Sequence, residues 1–230
     1  MSTLLSIEDE HRHYQRRAAE LHDRIVLRDG TPAWVGPLQH KDRADLAREY
    51  DTLSDASKWH RFLGGVPHLN AAMLDALVDD VDGLDHVALI VFVDDHGEPT
   101  PAGIGRIVRH EQVPDAADIA ITVKDAWQGR GIASALVPRL VAARPAGVTH
   151  LLTEISTDNA ASLALARHAG TLRIHPTGGA FDIEVDLDDT GLRFPPPADG
   201  GRLHPALAAE GRDHLHTRDH AHLHPATAAR

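Results

Sequence analysis

The chain has 230 residues, 42% of them apolar and 25% charged, which suits one ordinary globular domain with appendages. It holds no cysteine, which excludes disulfides, thiolate nucleophiles and zinc–thiolate sites. A formal net charge of -11 disfavours a general nucleic-acid binder and suits a basic partner, and no run of about 18 apolar residues offers a membrane span.

Ser6-Ile7-Glu8-Asp9 reads as a capped helix start, with a mostly polar helix expected to residue 22. These charged opening residues contain no apolar signal core, so a cytoplasmic location is expected. Residues 24–27 and 33–35 read as short strands around the turn Asp29-Gly30-Thr31-Pro32. Helical patterns follow at 41–50, at 55–62 behind the potential cap Ser54, and at 70–78, where Met73, Leu74, Leu77 and Val78 share a face. Trp59 and Phe62 read as core residues of the second pattern. Residues 86–93 are a dense apolar run, as in a central strand buried on both faces. Strands are expected next at 102–109 and 118–123. The helix at 131–143 carries Pro138, which predicts a kink offset by packing of Leu136, Leu140 and Val141. A strand at 150–155 precedes a helix at 159–168 closed by Gly170. Residues 181–187 alternate, with Phe181, Ile183, Val185 and Leu187 on one face. This order predicts a mixed α/β sheet and not a doubly wound one. The organisation expected is a helical extension over 1–23, a domain over 24–189, and a Pro- and His-rich disordered tail over 190–230.

The most informative stretch is Ile121-Thr122-Val123-Lys124-Asp125-Ala126-Trp127-Gln128-Gly129-Arg130-Gly131-Ile132-Ala133. An apolar run ends in a glycine-rich turn that leads straight into an apolar helix. Backbone N–H groups at a helix start favour an anion, and glycines let a ligand approach the main chain. The spacing lacks the Lys-Ser/Thr ending of a Walker loop and the Gly-x-Gly-x-x-Gly of a dinucleotide fold. A plain strand-to-helix turn is the bland alternative.

The spacing Gln128-x-x-Gly131-x-Ala133 resembles the pyrophosphate motif of the GNAT N-acetyltransferases, and the resemblance extends over residues 24–188. Asn159, opening the last helix, is similar to the family's second coenzyme-binding motif. Leu53-Ser54-Asp55-Ala56-Ser57, Arg61-Phe62 and Asp85-His86-Val87-Ala88-Leu89 resemble the acetyltransferase domain of bacterial protein-lysine acetyltransferases of the Pat type. The resemblance implies a mixed, mostly antiparallel sheet splayed at its central parallel strand pair and flanked by helices. It implies acetyl-CoA as cosubstrate, with no metal required. Coenzyme contacts are expected from Ile121, Thr122, Val123, Gln128, Gly129, Arg130, Gly131, Ile132, Ala133, Asn159 and Ser162.

An amine must be neutral to attack a thioester, and a free lysine has a pKa of about 10.4, so a general base is expected. Pat-type relatives use a glutamate early in the strand before the loop, and Asp118 occupies the matching position. It is shorter by one methylene, about 1.5 Å. Glu154 on the paired strand is the second candidate. The Tyr that many members use to protonate the leaving thiolate falls at Ala166, which leaves that proton to solvent. The partner expected is an amine acceptor, either a protein lysine or a small molecule, with no nucleic acid or membrane; homodimers are common in the family. Two rival readings stand beside this one. The chain is a catalytically weak acyl-CoA-binding regulatory module, or it acts through its tail, where His220-x-His222-x-His224 offers imidazoles to a metal.

Overall fold

The computed structural model describes residues 23–95 and 98–188. The expected helix at 6–22 and the His-rich tail lie outside the described residues. The strands are β1 (Asp23–Val26), β2 (Pro32–Pro37), β3 (His86–Asp95), β4 (Glu98–Arg109), β5 (Ala116–Val123), β6 (His150–Ser156), β7 (Thr171–Pro176) and β8 (Ala180–Asp186). They form one 8-stranded sheet in the order β1-β2-β3-β4-β5-β6-β8-β7. Every pairing is antiparallel except β5 with β6. The helices are α1 (Arg43–Asp51), α2 (Asp55–Phe62), α3 (Ala71–Leu74), α4 (Ile132–Ala142) and α5 (Ala160–Ala166). Among the described residues, no helix is long and apolar enough to cross a membrane.

Two cores cover the two faces of the sheet. Val87, Leu89, Val91 and Ile107 turn toward α4, whose Leu136 and Leu140 have no exposed surface. Ala88 and Ile104 turn the other way and pack with Leu38, Tyr50, Phe62, Met73 and Leu77 beneath α1 to α3. This double coverage explains why β3 reads as an unbroken apolar run. The Ser54 hydroxyl caps α2 by accepting the Ser57 N–H at 3.2 Å.

Several local expectations change. Trp59 is 48% exposed, because only one flank of α2 meets the core and Phe62 holds it. The third helix turns into a π-helical segment at Asp75–Asp79. Pro138 does lie inside α4 as expected, with the apolar flank buried on both sides of it at Leu136 and Leu140. β7 was not expected; it is a short edge strand ending in Pro176, where an edge tolerates a missing donor. The face of β8 opposite its apolar side is also buried. Asp182, Glu184 and Asp186 lie there, with Arg173 3.3 Å from Glu184 and His150 4.0 Å from Asp186.

Gly170 does not close the helix before it, which ends at Ala166. It lets the chain pass β8, since a Cβ there would stand 2.0 Å from the Asp186 carbonyl oxygen. Backbone cannot yield as a flexible side chain does. Gly170→Ala should therefore cost about 3 kcal/mol and lower Tm by roughly 6–12 °C in a thermal melt. An unchanged melt would show that the close approach is not needed.

Candidate active site

The parallel pair β5–β6 is bonded only at its start, where Ala116 aligns with His150 and Ala117 with Leu151. Beyond that point the strands diverge. The Lys124 N–H donates to the Ala102 carbonyl at 3.0 Å, and the His110 N–H to the Ala116 carbonyl at 3.0 Å. In an antiparallel ladder these bonds fix the phase of every residue between them. Asp118, Ala120 and Thr122 turn their main-chain groups to β4. Ile119, Ile121 and Val123 turn theirs into the opening. Two of those carbonyls are used: Thr153 Oγ1 donates to Ile119 at 3.3 Å, and Gln128 Nε2 to Val123 at 3.2 Å. The Ile119 and Ile121 N–H groups face the gap.

A cavity of about 290 Å³ occupies the opening. Of the residues singled out from the sequence, it brings together Asp118, Ile121, Glu154, Asn159 and Ser162. Thr122, Val123 and residues 128–133 lie outside its lining. Ala166 lines it as well, so no side-chain acid stands at that position. Asn159 caps α5: its Oδ1 accepts the Ser162 N–H at 3.0 Å. Half of the Asn159 amide is thus committed to the helix, and its nitrogen bonds to none of the described residues.

The glycine loop begins the next element. Gly129 has φ +75° and Gly131 φ +96°, in the left-handed region that favours glycine, and Gly131 is the N-cap of α4. The N–H groups of Gly129, Arg130, Gly131, Ile132 and Ala133 find no acceptor among the described residues. The Gln128 side chain faces inward and bonds to Ser57, Val123 and Asp125. Arg130 stacks on Trp127 at 4.5 Å and pairs with Asp29 at 3.1 Å, so its charge is already shared.

Two residues missed in the sequence hold this loop. Arg28 donates its N–H to the Arg130 carbonyl at 2.9 Å and its Nη2 to Ser134 Oγ at 3.1 Å. It therefore sets a cation over the first turn of α4. Asp125 accepts the Ser54 N–H at 2.9 Å, the Ser54 hydroxyl at 2.7 Å and the Ser57 hydroxyl at 2.8 Å. That ties the start of α2 to the loop. No local pattern signals either residue, since the partners are distant in the chain. Burial raises the Asp125 carboxyl pKa, but the hydrogen bonds from Ser54 and Ser57 outweigh it and hold the group below its usual 3.8. A depressed carboxylate stabilises the fold above its unfolded pKa, and that contribution is lost as pH falls through the lower folded value. Asp125→Ala should loosen the loop and weaken acetyl-CoA binding about tenfold in calorimetry, roughly the worth of one charged hydrogen bond. Unchanged affinity would make the anchor dispensable.

Charges converge on the α2 side of the cavity. Arg106 is 6% exposed; its Nη1 donates to the Leu77 carbonyl at 3.2 Å and lies 3.2 Å from His86 Nε2. Burial, reinforced by Arg106 and then Arg61, pushes the His86 pKa down to about 3, so that ring is neutral and accepts. Asp118 acts as a counter-charge to both Arg61 and Arg106. Across the opening, Glu154 stands opposite Asp182 in register, and both line the cavity.

Residues 34–171 match the family model described as an acetyltransferase (GNAT) domain. The chain belongs to the GNAT acetyltransferase family. A Pseudomonas aeruginosa relative, acetyltransferase PA5475, is 31% identical over 140 residues, covering 60% of this chain and 73% of that protein. Acetyltransferase Pat of Mycolicibacterium smegmatis is 33% identical over 144 residues, covering 62% of this chain but only 40% of Pat. The solved GNAT domain of S. lividans PAT superposes with a TM-score of 0.65 at 31% identity, covering 74% of this chain and 98% of that domain. The yncA acetyltransferase of Salmonella typhimurium, solved with acetyl-CoA, shares the fold at a TM-score of 0.55 and 18% identity, covering 69% of this chain and 96% of yncA. This GNAT protein is thus an acetyl-CoA-dependent N-acetyltransferase that resembles Pat.

Proposed function

We propose that residues 24–189 transfer an acetyl group directly from acetyl-CoA to an amine that enters from the α2 side of the sheet. The observation that carries this reading is the β5–β6 opening, where inward N–H groups meet a cavity walled by Asp118 and Glu154. The loop at 129–133, whose N–H groups meet no acceptor among the described residues, would hold the diphosphate, with Arg28 beside it. The Asn159 amide and Ser162 would steady the pantetheine arm. Acetyl-CoA supplies the thioester. Asp118 removes the proton of the attacking amine, directly or through a water. The Ile121 N–H would polarise the thioester carbonyl. Ala166 cannot donate, so solvent protonates the departing thiolate. No residue of this scheme calls for a metal, and EDTA should leave the rate unchanged.

The acceptor is an amine, carried by a protein lysine, as the likeness to Pat suggests, or by a small molecule. A second reading, an acyl-CoA-binding module without turnover, draws on the short Asp118 side chain and on its place opposite two arginines. Calorimetry with acetyl-CoA, paired with thiol release in the presence of amines, separates the two. Binding with amine-dependent thiol release supports the enzyme mechanism. Binding with no release from any amine favours the module, and absence of binding overturns both.

A further inference from the structure

We propose that the acceptor carries an anionic group close to its reactive amine, as a free amino acid does, with Arg61 binding the anion and Asp118 facing the amine. This narrows the preceding reading and rests on it.

The last turn of α2 sets Arg61 on the cavity wall, with its guanidinium carbon 4.6 Å from the centre of the Phe62 ring. That contact holds the guanidinium against the ring but uses none of its five donors. Among the described residues the Arg61 side chain has no hydrogen bond or ion pair. The Asp118 side chain lines the same cavity and likewise has no hydrogen bond or ion pair among them. The two feel one another's charge without closing into a salt bridge. A direct pair would neutralise both. Their separation leaves a donor and an acceptor facing a common space.

The surroundings set the direction of that space. Behind Arg61, Arg106 adds a second positive charge, and His86 beside it is neutral. Burial disfavours the charged form of Arg61, and Asp118 opposes that effect. Neighbouring His60 has its Nε2 engaged by Asp158 at 3.0 Å. The α2 side of the cavity thus offers a cation in Arg61 beside an anion in Asp118, and Glu154 and Asp182 add carboxylates elsewhere on the wall. A molecule with a carboxylate and an ammonium on neighbouring atoms can present the first to Arg61 and the second to Asp118. A guanidinium takes a carboxylate through two parallel hydrogen bonds, which fixes orientation as well as charge. A lysine within a polypeptide brings an alkyl chain and neutral amides, which offer no anion to the Arg61 donors.

The test measures thiol release by the full chain with the proteinogenic amino acids, their α-carboxamides, and a lysine peptide blocked at both ends. The best amino acid should exceed its own amide by about ten- to a hundredfold in kcat/KM, the worth of one charge-assisted hydrogen bond. Arg61→Gln should erase that ratio, and Arg61→Lys should keep part of it. Calorimetry with acetyl-CoA shows that each variant is folded, and the wild-type ratio stands even if one is not. The proposal is overturned by an amide or the lysine peptide serving as well as the acid, or by a ratio unchanged in Arg61→Gln. It is also overturned if wild type binds acetyl-CoA but uses no amino acid. Failure to bind acetyl-CoA at all would instead overturn the acetyltransferase mechanism itself.

Discussion

Asp118→Asn should lower amine-dependent acetyl transfer by about 10²–10⁴-fold, the usual worth of a general base, with acetyl-CoA affinity unchanged. The substitution keeps the shape of the side chain and removes its capacity to take a proton, together with the negative charge that faces Arg61 and Arg106. Asp118 sits on the α2 face of β5, on the cavity wall and away from the glycine loop, so the coenzyme contacts should not feel the change. The deficit should shrink as pH rises, because the amine then sheds its proton unaided. A pH–rate profile of both proteins tests this directly. Near-normal activity in the variant would move the base to Glu154, which shares the cavity, and Glu154→Gln would then carry the large loss.

Gly131→Glu should abolish acetyl-CoA binding, a loss of at least about a hundredfold in calorimetry given two opposed effects at one position. Gly131 has φ +96°, and a Cβ there would stand 3.1 Å from the Arg28 side chain. Any side chain is strained there by about 1–3 kcal/mol. A carboxylate would in addition occupy the N–H groups that face no acceptor among the described residues and repel a diphosphate. Gly131→Ala separates the causes, since it keeps the strain and omits the charge; its loss should be smaller. Wild-type affinity in the Glu variant would remove the diphosphate from this loop.

Much of this architecture is legible in the sequence where a local rule decides. The apolar run of β3, the Ser54 cap of α2 and the glycines before α4 each follow from their immediate neighbours. What escaped depends on partners far along the chain. Arg28 looks like a turn arginine until the β1–β2 turn is seen lying on residues 130–134. Asp125 reads as one loop acid among many, yet it holds two serines from another helix. β7 has too short and too interrupted an alternation to stand out, and its edge position forgives Pro176. Alternation in β8 shows one apolar face, but it cannot show that Arg173 and His150 allow the acidic face to be buried too. Gly170 carried the wrong reading for the same reason: the surface that demands a glycine belongs to Asp186.

The seating of the β1–β2 turn on the α4 start has a thermodynamic corollary. Arg28 grips the loop through its main chain and through Ser134, and Asp29 holds Arg130. Whatever an occupied loop gains from a docked turn, the docked turn gains equally from an occupied loop. Filling the donor site should therefore slow amide exchange at Leu27 and Gly30, whose N–H groups bond within that turn. By reciprocity, anything that peels β1 from the sheet edge should act as an allosteric antagonist of donor loading without touching the pocket. The outermost strand pair would then be a remote affinity dial for the coenzyme.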